Sequence, residues 1–289
     1  MPVAKDPSPG FLERKGELVE ARETARWDDG PDELTELTLV SSTGLEVDVT
    51  ARVPRDTTTE RPAVVLLAGQ GTGRDAVKYI HDSRGVVAVS VSYPYRGDKK
   101  AGKLALILDT PRIQRSLLDT IPAVMLVADW LIRQPFVDPR RIELAGGSMG
   151  AFLVSVPGAL DTRFRRVWLV HGGGKPAVVL ERGLEPHIRS ALLRRWTARL
   201  LAAVAASHHL APERWVGKIS PRPVNVISAV DDETITRECV ETLHRALGQP
   251  SEVIWMETGH VLPGREAIIE QLLDLTLRRI KVDELAAEP

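Results

Sequence analysis

An α/β fold around a mostly parallel, eight-stranded sheet flanked by helices is what this sequence predicts, and three observations predict it. Uninterrupted apolar runs such as Ala63-Val64-Val65-Leu66-Leu67 and Val86-Val87-Ala88-Val89 suit strands covered on both faces, as in a parallel sheet. From residue 62 onward, such runs alternate with segments of helical period, the order expected when helices pack on both sides of one sheet. The chain has 289 residues, of which 43% are hydrophobic and 27% charged, enough for one substantial core rather than two full domains.

Residues 1–33 read as a polar N-terminal extension, with Leu12, Val19 and Trp27 placed near one face of a helix over 12–27. The domain proper then covers 34–289. Segments 34–40 and 45–53 read as strands of a hairpin turning at Ser41-Ser42-Thr43-Gly44. Further strands are expected over 63–67, 85–91, 141–145, 167–170, 224–228 and 252–256. Helices are expected over 122–134, with Pro122 in the first turn, from 149 to a stop near Pro157, and over 188–206, 235–247 and 265–280. Residues 175–219 are long for a strand-to-helix connection and read as a small helical cap. Its buried face would carry Ile188, Leu192, Leu193, Trp196, Leu200 and Val204.

The charge balance narrows the function classes. Lys and Arg number 38 against 39 Asp and Glu, a formal net charge of −1, so no basic excess points to nucleic acid. Cys239 is the single cysteine, which excludes an intrachain disulfide and a cysteine-rich metal site. No window approaches the roughly 18 apolar residues of a membrane span. The start, Met1-Pro2-Val3-Ala4-Lys5-Asp6, lacks the apolar core of a signal peptide, so the expected location is cytoplasmic. Nothing in the chain fixes an oligomeric state, and a homo-oligomer is left open.

The chemistry concentrates at Gly146-Gly147-Ser148-Met149-Gly150, between an expected strand and an expected helix. A serine hydroxyl is a weak nucleophile and must meet both a base and a carbonyl carbon. A sharp strand-to-helix turn lifts it clear of the sheet, and glycines on either side leave room where a Cβ would collide. The helix that follows aims free N–H groups at a developing oxyanion, with the Met149 N–H as one donor. The five-residue string alone is a weak signal; the strand before it and the helix after it make it specific.

With the preceding Pro135-Phe136-Val137-Asp138-Pro139 and Arg140-Arg141-Ile142-Glu143-Leu144-Ala145, this region resembles the nucleophile elbow of α/β-hydrolases. It is closest in style to the dienelactone hydrolase, acetyl xylan esterase and prolyl oligopeptidase branches. The likeness covers about residues 35–280 as an order of elements and is sharp only at the motifs. It implies a serine esterase whose triad follows the order Ser, acid, His, with no cofactor and no metal. His260, in the loop after the 252–256 strand, matches the base by position. The acid is expected after the 224–228 strand, at Val230-Asp231-Asp232-Glu233. Aligning Ala229 with the small residue of the family pattern gives Asp232, aligning Ser228 gives Asp231, and Glu233 is a third carboxylate; Asp232 is preferred.

The resemblance also places a second oxyanion donor in the loop Ala68-Gly69-Gln70-Gly71, at the Gln70 N–H. Relatives often carry a histidine before the glycine, and Ala68 here removes a side-chain anchor for that loop. Gly69, Tyr93 and Trp196 are expected to wall the substrate pocket; Arg96 is read chiefly as a surface residue. Two further strings read as structural: His171-Gly172-Gly173-Gly174 as a turn, and His208-His209, whose side chains cannot both face one way on a helix, as no metal site. The function implied is cleavage of a small-molecule carboxylic ester through an acyl-enzyme. An acyltransferase or small peptidase with the same triad, and a non-catalytic binding protein on the same fold, are the rival readings.

Overall fold

The computed structural model describes residues 7–69, 71–95, 110–262 and 264–287. Its strands are β1 (Leu18–Asp29), β2 (Asp32–Ser41), β3 (Glu46–Pro54), β4 (Arg61–Leu67), β5 (Val87–Val91), β6 (Val137–Gly147), β7 (Phe164–Val170), β8 (Val224–Ala229) and β9 (Ser251–Met256). They form one nine-stranded sheet in the order β1-β2-β3-β5-β4-β6-β7-β8-β9. β1, β2, β3 and β5 pair antiparallel, whereas β5, β4, β6, β7, β8 and β9 run parallel.

The inner parallel strands β4 to β8 are buried on both faces while the edge strand β9 is half exposed, and their period of two splits the core into two layers. Val65 and Leu67 of β4, with Leu144, Val167 and Leu169, face a layer closed by α2 (Thr110–Leu131), α3 (Met149–Leu153) and α4 (Ser155–Leu160). Val64 and Leu66, with Ala145, Trp168 and Val170, face a second layer closed by α9 (Glu266–Ala287) and the 3-10 turn Gly73–Tyr79. Helix α2 is buried from Ile121 to Ala128 and carries no polar residue there, so packing all round rather than an amphipathic face stabilises this stretch.

Four expectations from the sequence are corrected. The helix expected over 12–27 ends early: α1 (Phe11–Lys15) gives way to β1, a ninth strand that pairs with β2 from Leu18↔Ser41 to Asp29↔Asp32. Leu12, Val19 and Trp27 were too sparse to define a helical face. Cross-strand contacts on the exposed edge, such as Arg26 to Glu33 at 2.9 Å, favour the extended form. Pro122 lies inside α2 rather than in its first turn. It forfeits one backbone hydrogen bond, and the surrounding apolar burial offsets that loss. The chain does not stop at Pro157, which sits in the first turn of α4, where its missing N–H has no intrahelical acceptor to lose.

The fourth correction concerns residues 175–219. They do form helices: α5 (Pro176–Gly183), α6 (Ala191–Val204), α7 (Ser207–Leu210) and two short 3-10 turns, with α8 (Arg237–Arg245) following only after β8. Ser190 caps α6, its Oγ accepting from the Leu193 N–H. The face that α6 buries is Ala198 and Ala202, while Leu192, Leu193, Trp196 and Leu200 are turned to solvent. Small alanines let α6 lie close on its neighbours, and the large apolar side chains are left outside.

Candidate active site

Ser148 stands between β6 and α3 with φ of 52° and ψ of −117°, a left-handed conformation that costs a non-glycine residue energy. Its N–H donates to the Val170 carbonyl at 2.9 Å, tying the turn to the end of β7. Close approach explains the flanking glycines. A Cβ on Gly150 would fall 1.7 Å from the Leu67 carbonyl oxygen, and one on Gly146 would fall 2.6 Å from the Gly150 carbonyl oxygen. The turn therefore sits against the end of β4, beside the Ala68–Gly69 loop.

The loops after β8 and β9 bring two further side chains to this edge. Ser148 Oγ lies 2.7 Å from His260 Nε2, and His260 Nδ1 lies 2.8 Å from Asp232 Oδ2. An ionised carboxylate only accepts, so Nδ1–H donates to Asp232 and the Nε2 lone pair faces the serine hydroxyl. Asp232 Oδ1 accepts from the N–H groups of Thr234 and Ile235, at 2.9 and 2.7 Å. Those bonds orient the carboxylate before the histidine meets it. The imidazole is fully buried, which shields the array from water.

The neighbouring carboxylates have different fates. Asp231 is exposed, and its backbone N–H donates to the Thr258 carbonyl at 3.2 Å. Glu233 is engaged rather than merely solvated. Its Oε2 accepts from the His260 N–H at 2.9 Å, and its Oε1 pairs with Arg265 at 2.6 Å. Arg265 in turn donates to the His260 carbonyl at 3.0 Å. The His260 N–H and the Arg265 guanidinium hold the Glu233 carboxyl down to about 2. Together these contacts fix the backbone on both sides of the histidine.

His171, read from the sequence as a turn residue, is buried with its ring 5.9 Å from that of His260. Its Nδ1 accepts from the Val261 N–H at 3.0 Å, so a neutral ring carries its proton on Nε2. Burial, and then the nearby His260, push its pKa down to about 4. His171 opens the glycine string read as a turn and Glu233 is the third carboxylate after β8, but neither string signals these contacts to the His260 loop. His171, Asp232 and His260 are the one group among the described residues whose ligand-type atoms come within 4.8 Å of one another. Both ring nitrogens of His260 and Nδ1 of His171 are already hydrogen-bonded, so a metal there would have to break the array.

A cavity of about 240 Å³ opens beside Ser148. Gly69, Gly71, Met149, Val261 and Leu262 line its mouth. Gln70, the expected second donor, and Arg96 lie outside the described residues. Tyr93 does not line the cavity. Its hydroxyl donates to the Ala68 carbonyl at 2.7 Å, supplying from β5's far end the anchor that Ala68 itself cannot give. Burial raises the Tyr93 phenol above its ordinary range, which keeps it a proton donor. Trp196, on the outward face of α6, is 61% exposed and lies apart from the cavity lining, as do all residues of 175–219. His208 and His209 stack at 3.7 Å between ring centroids, and Trp215 donates to the His209 carbonyl at 2.6 Å.

No family model and no curated protein matches the chain. Solved structures do. The acetyl xylan esterase from Paenibacillus sp. R4 superposes with a TM-score of 0.65 at 16% identity, covering 95% of this chain and 96% of that one. Acetyl xylan esterase 1 from Thermoanaerobacterium sp. JW/SL YS485 gives 0.62 at 15% identity, covering 96% and 95%. The α/β hydrolase GrgF from Penicillium sp. sh18 gives 0.57 at 17% identity, covering 85% and 98%. The chain adopts the α/β-hydrolase fold. No helix among the described residues is long and apolar enough to cross a membrane.

Proposed function

We propose that the protein is a serine esterase that cleaves small carboxylic esters through an acyl-enzyme, with Ser148, His260 and Asp232 as its triad. The observation that carries this reading is the continuous hydrogen-bonded line from Ser148 Oγ through the imidazole to Asp232, set on a strained turn at a cavity mouth. The esterase names of several structures with the same fold support it as an analogy of fold.

In the first half-reaction, the Ser148 oxygen bonds to the ester carbon as its proton passes to His260 Nε2. The carbonyl oxygen becomes an oxyanion, met by the N–H of Met149 and, in this proposal, of Gln70. Collapse breaks the ester C–O bond, and the departing alkoxide takes the proton from His260. Water then repeats the sequence in reverse roles, releasing the acid and restoring the serine. Asp232 holds the imidazole in the productive tautomer and stabilises its transient charge. The chemistry needs no cofactor.

The test is Ser148→Ala against p-nitrophenyl esters. Turnover is expected to fall by at least about a thousandfold with the thermal unfolding midpoint little changed. A variant retaining wild-type turnover would refute the assignment.

A further inference from the structure

The cavity beside Ser148 runs inward, into the layer between the sheet and α9. On the helix side it is lined by Ile269, Leu272, Leu273 and Thr276, which are spaced i, i+3, i+4 and i+7 and so form one face. On the sheet side are Leu66, Ala145 and Val170, from the adjacent strands β4, β6 and β7, and Ala76 of the 3-10 turn also lines it. The space is a gap in an otherwise dense layer. Val64 and Trp168 in that layer are 0% exposed, whereas Ala145, Leu272 and Thr276 each keep 4–5%. The short side chains of Ala76 and Ala145 stand where larger residues would have filled it.

Two estimates give its capacity. Seven residues of α9 at about 1.5 Å each make it about 10 Å long. An extended hydrocarbon with bonds of about 1.5 Å advances about 1.3 Å per carbon, so that length takes about eight carbons in single file. The volume of about 240 Å³, at roughly 30 Å³ per water-sized group, also holds about eight. Length and volume agree on a single chain of about that size. No Asp, Glu, Lys, Arg or His is among the described lining residues, and the Thr276 hydroxyl is committed to the Leu272 carbonyl at 2.9 Å. A charged group on the ligand would be buried without a partner.

We propose that this cavity is the acyl pocket for an unbranched, uncharged aliphatic chain of about six to eight carbons. The inference rests on the esterase reading. The acyl half is assigned because Ser148, Met149, Gly69 and Gly71 line the cavity, while His260, which must protonate the leaving alcohol, is absent from its described lining. A two-carbon acyl group would leave most of the space empty.

The test is kcat/KM for p-nitrophenyl esters from acetate to palmitate, alongside alkyl acetates from ethyl to octyl. Each methylene up to six to eight carbons is expected to raise kcat/KM about fourfold, the equivalent of about 0.8 kcal/mol, with a decline beyond. Lengthening the alcohol should have much less effect. Leu273→Trp from the helix wall and Ala76→Leu from the 3-10 turn should each lower the octanoate-to-butyrate ratio at least tenfold. A profile highest at acetate, a chain-length response on the alcohol side instead, or unchanged ratios in both variants overturns the proposal. Fluorophosphonate labelling separates the two levels. Labelled Ser148 with an acetate optimum sinks only the acyl pocket, whereas no adduct and no turnover at any length sinks the esterase reading beneath it.

Discussion

Helices α6 and α9 are both rich in leucine, and the fold uses them in opposite ways. α9 lays Ile269 and Leu272 against the sheet and leaves space beneath them that opens at Ser148. α6 buries Ala198 and Ala202 and turns Leu192, Leu193, Trp196 and Leu200 outward. Periodicity identifies an apolar stripe in each, but an apolar stripe says nothing of what covers it. In α9 the sheet does; in α6 the close contacts are made by the small residues next to the stripe. The cavity therefore belongs to the α9 side of the molecule, and no residue of 175–219 is among its described lining.

The sharpest way to break this contrast is to place a charge on each helix. Leu272→Asp puts a carboxylate into the buried layer and is expected to cost about 3–5 kcal/mol of unfolding free energy in urea titration, with ester turnover lost. Leu200→Asp belongs at the other end of the scale, because the side chain is 52% exposed. Its stability should stay within about 0.5 kcal/mol and its kcat/KM within about twofold. Equal penalties at the two positions would mean that the α6 stripe is covered after all.

Between those extremes lie the residues that hold the histidine loop. Glu233→Ala removes the acceptor of the His260 N–H and the partner of Arg265. It is expected to lower kcat about tenfold with KM little changed, and Glu233→Gln should restore part of the loss because an amide oxygen still accepts the N–H. An equal loss in both variants would show that the Glu233 charge paired with Arg265, not the loop bond, matters.

The same loop also shapes the pH dependence of stability. His171 has a pKa pushed down from 6.5 to about 4, so between those values the unfolded chain binds more protons than the folded one. The stability that this neutral ring contributes is complete above pH 6.5 and is lost as the pH falls toward 4. Glu233 is lowered from 4.5 to about 2, so its share is present above pH 4.5 and is lost in the lower window, down to about 2. It is part-exposed at the surface, so its share is the smaller. His171→Asn should flatten the pH 6.5–4 limb of a melting-temperature profile and leave the lower limb in place; an unchanged upper limb would contradict the role given to His171.

The parallel half of the sheet was legible because β4 and β5 are near-continuous apolar runs and the shorter apolar runs of β6 to β9 recur between segments of helical period. β1 was not, since an edge strand exposed on both faces carries charges at almost any spacing, and its pairing with β2 supplies the order that the local sequence lacks. At the site, Ser148, His260 and Asp232 could be placed because each follows a strand in a known order. Glu233 and His171 act through backbone N–H groups of another loop, and sequence spacing records no such contact. Tyr93 was named for the right neighbourhood but a different task, holding the Ala68 carbonyl rather than walling the cavity.

The account stands on His260 activating Ser148, and the rate of fluorophosphonate labelling reads that step without any choice of substrate. Peptide mass analysis should find the adduct on Ser148 in the native protein, and His260→Ala should slow its formation by at least about a hundredfold while the chain stays folded. Labelling at the same rate in both proteins, or an adduct on another residue, would contradict it.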